Sequence, residues 1–378
     1  MRAGLLGRKL GHSLSPQIHR LFGDYEYRLY EREPAEVESL LRTGFADGSF
    51  DFLNVTIPYK QTVFALCDEL SPMARRLGNV NFVTRTPDGK LRGDNTDAFG
   101  VERLLDSLGA RVRGLNCAVL GAGGAAMTAR AVLEARGAAR VTLVRRGETP
   151  AQDDALIVNA TPVGMFPDVD GVRIDSAAYP NCRYVIDLVY NPSPTRLVRE
   201  ARACGKLAAD GLVMLIAQAY RACCLAFGSA AAPLFLYGPP ASGKSTLARR
   251  IAAATGMASV DLDAEIVRAE GRGIPEIFAT DGEAAFRAME RRALARIVRG
   301  ENQVVALGGG ALLDDACRRM VESAGRVVVL DCPTETLAAR LTGGDRPLSV
   351  NAAKMEELMR RRAAHYASFP RHVRMTGG

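Results

Sequence analysis

The chain has 378 residues, 48% of them apolar and 24% charged, which is ordinary for globular protein and a length for about two to three domains. Its net charge of +7 comes without a run of like charges or an aromatic-rich basic stripe, so the balance points to small anionic substrates rather than nucleic acid. The chain contains no apolar run of about 18 residues to cross a membrane. The stretch Met1–Leu14 is too short an apolar segment for a secretory leader, so a cytoplasmic location is expected.

The eight cysteines form no C-x-x-C pair and the four histidines have no metal spacing, so the cysteines read as reduced core thiols. Only six lysines stand against 43 arginines. A lysine that persists in such a chain marks a place where arginine does not serve.

Near the N-terminus, Gly11-His-Ser-Leu-Ser-Pro-Gln-Ile-His19 places Ser13 and Ser15 at a tight turn. Taken alone, the two serines read as a helix cap before Pro16 rather than as ligands. Phe52-Leu-Asn-Val-Thr-Ile57 reads as a buried strand ending in Pro58-Tyr59-Lys60, which puts a lysine at a strand terminus. Gly78-Asn-Val-Asn81 and Gly93-Asp-Asn-Thr-Asp-Ala-Phe-Gly100 follow, and each would pass as solvated surface if it stood alone.

Asn116–Leu120 is a strand, Gly121-Ala122-Gly123-Gly124-Ala125-Ala126 gives G-x-G-x-x-A, and Met127–Arg136 is a helix, the context that a dinucleotide fingerprint needs. The next strand, Arg140–Val144, ends in Arg145-Arg146 rather than an acid. That favours the 2′-phosphate of NADP over a bare ribose hydroxyl. Leu156–Pro162 and Tyr184–Pro192 read as further strands, and Asp210-Gly211 opens a last helix. The short segment 229–233 is a linker.

Leu234–Tyr237 is a strand running into Gly238-Pro-Pro-Ala-Ser-Gly-Lys-Ser245 and a helix over Thr246–Ala254. This is a P-loop, in which backbone N–H groups and Lys244 face phosphate and Ser245 can ligate Mg²⁺. Asp261 and Asp263, two apart in the strand 258–263, are expected on one side of it. Such a pair suggests a metal ligand and a proton acceptor. Val304-Val-Ala-Leu-Gly-Gly-Gly310 is a strand that opens into free backbone amides.

G-H-S-L-S-P, N-V-T-I-P-Y-K, V-N and G-D-N-T-D-x-x-G, in that order, resemble shikimate dehydrogenases over residues 1 to about 228. From about 233 onward the P-loop, Asp261 and Asp263, Gly273–Arg287 and Val304–Gly310 resemble shikimate kinase. The resemblance implies an α/β chain: a two-lobed dehydrogenase with a Rossmann NADP-binding lobe, then a P-loop kinase domain of the nucleoside-monophosphate-kinase type. Its boundaries would be 1–100 plus 212–228 for the catalytic lobe, 101–211 for the cofactor lobe and 234–378 for the kinase.

By the same resemblance Lys60 is the general acid/base and Asp97 its partner. Ser13 and Ser15 take the substrate carboxylate, Thr56, Asn81 and Gln218 its hydroxyls, and Tyr190 lies nearby. A structural partner for a buried Gln218 is the alternative. Gly121, Ala122, Gly123, Gly124, Ala125, Arg145, Arg146, Leu188 and Gly211 would hold NADP(H), with Gly211 at the nicotinamide. The family usually shows Asn-Arg-Thr where this chain has Arg145-Arg146-Gly147, a small residue at Asn79, and Thr at Phe82.

In the kinase half the resemblance gives ATP to Gly238, Ala241, Ser242, Gly243, Lys244, Ser245, Thr246, Arg340 and Arg346, and Mg²⁺ to Ser245 and Asp261. Asp263, Arg287, Gly309, Gly310 and Arg362 would hold shikimate. Gly343–Leu348 resembles a short lid, with Ser349 in place of a typical leucine. The implied activity is NADPH-dependent reduction of 3-dehydroshikimate followed by ATP-dependent phosphorylation of shikimate. A non-catalytic shikimate or quinate sensor and an NAD-dependent quinate dehydrogenase fused to a kinase are the rivals, and oligomeric state is left open.

Overall fold

The computed structural model describes residues 1–11, 13–228, 232–341 and 352–374. It divides into two compact units, the first running to the helix Leu212–Phe227 and the second starting at the strand Leu234–Tyr237.

The first unit holds two sheets. Strands β1 (Arg2–Gly7), β2 (Glu26–Glu31), β3 (Phe52–Val55), β4 (Glu69–Leu70), β5 (Phe82–Arg85) and β6 (Leu91–Asp94) form a mixed sheet of order β2-β1-β3-β5-β6-β4. β1 pairs parallel to β2 and β3, whereas β5 runs antiparallel to both β3 and β6. All four side chains of β3 are buried, as expected of an inner strand covered on both faces. Phe52 packs with Phe82 and with Ala222 of the helix Leu212–Phe227, which thereby closes one face of this sheet. That helix also lies so close to the helix Asp97–Ser107 that a Cβ on Gly100 would stand 2.8 Å from the Met214 carbonyl.

The second sheet is wholly parallel: β7 (Asn116–Leu120), β8 (Arg140–Val144), β9 (Leu156–Asn159), β10 (Tyr184–Asp187) and β11 (Leu207–Ala209), in the order β11-β10-β9-β7-β8. The order reverses between β7 and β9, which is where a doubly wound sheet opens a crevice at its carboxyl edge. β8 is the edge strand on one side. No helix separates β8 from β9 in residues 145–155.

In the second unit β12 (Leu234–Tyr237), β13 (Ala258–Asp261), β14 (Gln303–Ala306), β15 (Arg326–Asp331) and β16 (His372–Arg374) form a parallel sheet of order β13-β14-β12-β15-β16. β12 is central and fully buried, and Phe235, Tyr237, Val305, Val327 and Val329 join one core with Leu262, Phe286 and Leu294. Each such apolar side chain contributes roughly 1.5–3 kcal/mol on burial, which is what fixes the loops at the strand ends.

Several boundaries differ from the sequence reading. Lys60 does not end a strand: β3 stops at Val55, and Lys60 is the first residue of the helix Lys60–Leu66. Leu14 rather than a serine holds the N-cap position of the helix Ser15–Phe22 and Ser15 is already inside it, while Ser13, one residue earlier, accepts the Ser15 N–H through Oγ. β13 ends at Asp261, whose carboxylate accepts from the Ala264 N–H and starts the helix Leu262–Glu270, so Asp263 sits on a helix and strand alternation does not apply to the pair. The helix after the glycine fingerprint begins at Gly124 and the one after the P-loop at Lys244, both earlier than expected. Among the thiols, Cys204 is exposed rather than in a core. Arg346, the lid 343–348 with Ser349, and linker residues 229–231 lie outside the described residues.

Candidate active sites

The first site is assembled from the ends of β3, β5 and β6. Tyr59 is buried and donates through its hydroxyl to the Arg32 carbonyl, anchoring the turn before Lys60. From that anchor Lys60 Nζ reaches Asp97 Oδ2 in an ion pair with side-chain exposures of 19% and 10%. Asp97 opens the helix Asp97–Ser107, and its other oxygen accepts from Asn81 Nδ2 at 2.8 Å. Asn81 Oδ1 in turn accepts from the Thr96 N–H at 2.7 Å, and Thr96 Oγ1 lies 3.5 Å from Gln218 Oε1. The Asn95 side chain takes the N–H of Asp97 and of Ala98 at 3.0 and 3.3 Å, fixing the start of the helix.

Lys60, Asp97, Asn81 and Gln218 are thus brought together. Among the described residues, Ser13, Ser15, Thr56 and Tyr190 share no hydrogen bond with this cluster. Ser13 Oγ accepts from the Ser15 N–H at 3.2 Å, and the Thr56 N–H donates to the Leu6 carbonyl. Burial pushes the Tyr190 hydroxyl above its ordinary range. Asn95 and Thr96, both inside the G-D-N-T-D motif, have functions here that the motif alone does not announce.

A second cluster lies at the carboxyl edge of the parallel sheet. Gly121 has φ +115°, and a Cβ there would press on the Ala160 carbonyl at 3.2 Å, so glycine is required at the switch point. Ala122 continues the turn, and Gly123 caps the helix Gly124–Ala135, which continues through Ala125. A Cβ on Gly123 or Gly124 would meet nothing within 4 Å, so the helix N-terminus faces an open cradle that fits a pyrophosphate. Arg145 and Arg146 are exposed at the end of β8. Leu188 and Gly211 lie back to back, and a Cβ on Gly211 would overlap the Leu188 carbonyl, so only glycine fits there. Beneath them burial pushes the Asp187 carboxyl up to about 6 against its hydrogen bonds from Thr195, Val189 and Asn159.

The third cluster surrounds the P-loop. Gly238 and Gly243 have φ +131° and +93°, and Ala241 also takes a left-handed conformation at +60°. Ser242 is fully buried, Thr246 is exposed, and Lys244 is buried with Nζ donating to the carbonyls of Gly238 and Pro239 at 2.9 and 2.7 Å. Arg340 Nη1 reaches the Ala241 carbonyl at 3.4 Å. Ser245 Oγ donates to Asp261 Oδ2 at 2.5 Å, an all-oxygen pair whose hardness fits Mg²⁺.

Next to the P-loop, a Cβ on Gly308 would stand 3.2 Å from Asp263 Oδ1 and 2.9 Å from Glu290 Oε1, and one on Gly310 would stand 2.9 Å from Arg287 Nη2. Arg287 pairs with Glu290 at 2.6 Å. Glu290 is only 3% exposed, and burial pushes its carboxyl up while Arg287 opposes that. The Gly309 carbonyl accepts from Arg362 Nη1 at 3.0 Å and from the Tyr366 hydroxyl at 2.8 Å, which turns the Gly308–Gly310 backbone in one direction. Asp263, Arg287, Gly309, Gly310 and Arg362 therefore line one place. The sequence reading passed over Glu290 and Tyr366. The signal for Glu290 was its position three residues after Arg287, on the same helix face.

Residues 5–83 match the family model for the shikimate dehydrogenase substrate binding domain and residues 240–377 that for shikimate kinase. A curated shikimate dehydrogenase (NADP(+)) of Clostridium perfringens is 34% identical over 248 residues, covering 58% of this chain and 89% of the relative. The enzyme of the same name from Methylobacterium radiotolerans is 39% identical, covering 58% and 88%. Among solved structures, the shikimate 5-dehydrogenase of Thermus thermophilus in complex with NADP(H) and shikimate superposes with a TM-score of 0.55 at 31% identity, covering 60% of this chain and 94% of that one.

Proposed function

This chain belongs to the shikimate dehydrogenase family and carries a shikimate kinase domain behind it, and we propose that it catalyses two consecutive steps: reduction of 3-dehydroshikimate by NADPH, then transfer of the ATP γ-phosphoryl group to the shikimate formed. The observation that carries the first step is the largely buried Lys60–Asp97 pair, on which Asn81 converges.

Hydride delivered to a ketone carbon leaves an alkoxide. An ammonium held at that oxygen stabilises the charge and gives up the proton, a contribution of roughly 10²- to 10⁴-fold. Asp97 orients Lys60 through their ion pair. Ser13 and Ser15 bind the carboxylate and Thr56, Asn81 and Gln218 the ring hydroxyls, with Tyr190 beside them. Gly121–Ala125 receives the pyrophosphate, Arg145 and Arg146 the 2′-phosphate, and Leu188 and Gly211 the nicotinamide.

In the second step Asp263 accepts the proton of the attacking hydroxyl, and Arg287, Arg362 and the amides of Gly309 and Gly310 hold the acid in line. Lys244 with Gly238–Thr246 holds the triphosphate, with Arg340 at the adenine. Phosphoryl transfer needs chiefly positioning and charge neutralisation, and these groups supply both. Mg²⁺, when bound by Ser245 and Asp261, would neutralise phosphate oxygens. The eight free thiols accord with a reducing, cytoplasmic setting. A non-catalytic sensor would have no use for both an intact Lys60–Asp97 pair and an intact P-loop lysine.

The test is a coupled assay with 3-dehydroshikimate, NADPH and ATP, following NADP⁺ and ADP together. Equimolar formation of both supports the reading. NADPH oxidation without ADP, or ADP formation that does not depend on NADPH, would refute it.

A further inference from the structure

A connection between parallel strands usually takes a dozen or more residues, most often as a helix. Strands β8 and β9 lie on opposite sides of β7, yet residues 145–155 join them without one. The segment 172–183 shares the covering of this sheet with Leu197, Val198 and Ala201 of the helix Arg196–Ala203. Ile174, Tyr179 and Cys182 are buried on that face with Val144 and Ile157. Three ties bind this segment to the connection: Arg173 at its start, Asn181 Nδ2 to the Gln152 carbonyl at 3.1 Å, and the Arg183 N–H to the Ala155 carbonyl at 2.9 Å.

The first tie falls on the turn that carries Arg145 and Arg146. That turn is closed by the Glu148 N–H on the Arg145 carbonyl at 3.1 Å, with Gly147 at φ +90°. Arg173 Nη2 donates to the Arg145 carbonyl at 2.8 Å and to the Glu148 carbonyl at 3.2 Å, so one guanidinium holds both ends of the turn. The Glu148 carboxylate is directed back to the Arg145 N–H at 2.7 Å. An acid at the end of this strand would otherwise accept from ribose hydroxyls.

We propose that Arg173 is a positioning residue for the phosphorylated dinucleotide: it holds the Arg145–Glu148 turn in the shape that presents two guanidinium groups to a phosphate monoester. A turn carrying two adjacent like charges, in a connection that contains no helix of its own, is prone to fray, and charge-assisted bonds from a separate segment oppose that. Arg173 also adds positive charge beside Glu148, so the local field favours a dianion over a hydroxyl pair. The inference rests on the NADP reading of this turn.

The experiment compares Arg173→Met and Arg173→Lys with the unaltered full chain, measuring KM and kcat for NADPH and for NADH and, on the same samples, shikimate phosphorylation. Arg173→Met is expected to raise the NADPH KM about tenfold with kcat and the NADH KM little changed, as loss of two hydrogen bonds to a charged donor implies. Arg173→Lys, which keeps a charged donor, is expected to recover most of that. An unchanged NADPH KM, or equal rises for both cofactors, would overturn the inference. A failure of the cofactor reading is distinguishable, because the unaltered chain would then use NADH as well as NADPH. Lost turnover with both cofactors while phosphorylation persists would mean that Arg173 serves the fold of that lobe, and would also overturn the proposal.

Discussion

Asn95 Nδ2 donates to Asn79 Oδ1 at 2.6 Å, and both side chains are buried. The bond leaves Asn95 Oδ1 directed at the N–H groups of Asp97 and Ala98, so the Asn79 side chain fixes the helix end from which Asp97 reaches Lys60. Asn79→Ala would strand a buried amide at about 1–3 kcal/mol. The expected outcome is a lower kcat for reduction with little change in the NADPH KM, and a displaced acidic or basic limb in the kcat–pH profile. A loss of thermal stability with an unmoved profile would make Asn79 structural only.

Lys60→Arg keeps the positive charge but replaces the ammonium by a guanidinium, which holds its proton with a pKa above about 12 and is a poor donor. Reduction of 3-dehydroshikimate should fall by roughly 10²- to 10⁴-fold. ATP-dependent phosphorylation of shikimate by the same sample should be unchanged. Lys244→Ala should do the reverse, and a variant that loses both activities would contradict two separate sites.

The two phosphate-binding turns were legible because their chemistry is local: glycines at positive φ between an apolar strand and a helix leave a short-range pattern. The placement of Asp261 and Asp263 was misread because a period of two holds only while the strand lasts, and Asp261 ends it by capping the next helix. Asn79 with Asn95, and Arg173 with the Arg145 turn, were out of reach for another reason. Each joins residues that meet only once distant segments are folded together, and neither an asparagine in a loop nor one arginine among 43 carries a local sign of that.

Glu290 holds Arg287 on its helix, with the Arg287 guanidinium beside Gly310. Glu290→Gln keeps the shape and removes the charge, leaving Arg287 without its buried partner. The shikimate KM of the kinase should rise on the order of tenfold with the ATP KM little changed. Because burial raises the Glu290 carboxyl above the ordinary glutamate range, the unaltered chain should lose affinity for shikimate as pH is lowered from neutrality, sooner than a normal glutamate would dictate. The glutamine variant should not show that acid limb. A limb that persists in the variant would assign it to another group.

Asp187 gives a stability test with a definite sign. Its carboxylate accepts from Asn159 Nδ2 at 2.9 Å, the Val189 N–H at 3.1 Å and Thr195 Oγ1 at 2.7 Å, yet burial outweighs these bonds, and its pKa rises from 3.8 to about 6. A raised folded-state value means that the native fold takes up a proton before the unfolded chain does. The stabilising contribution is therefore full below about pH 4 and is lost as pH rises through about 6. Asp187→Asn lacks this titration while retaining an oxygen for the Asn159 and Val189 donors and an amide for the Thr195 hydroxyl. Taking wild type minus variant cancels the other groups. That difference should move towards the wild type by on the order of 3 kcal/mol between pH 7 and pH 4, the equivalent of a shift of about two pH units. Hydrogen exchange at the amides of β9 and β10 reports this lobe alone. A difference that stays constant with pH would show that Asp187 titrates as an ordinary carboxylate.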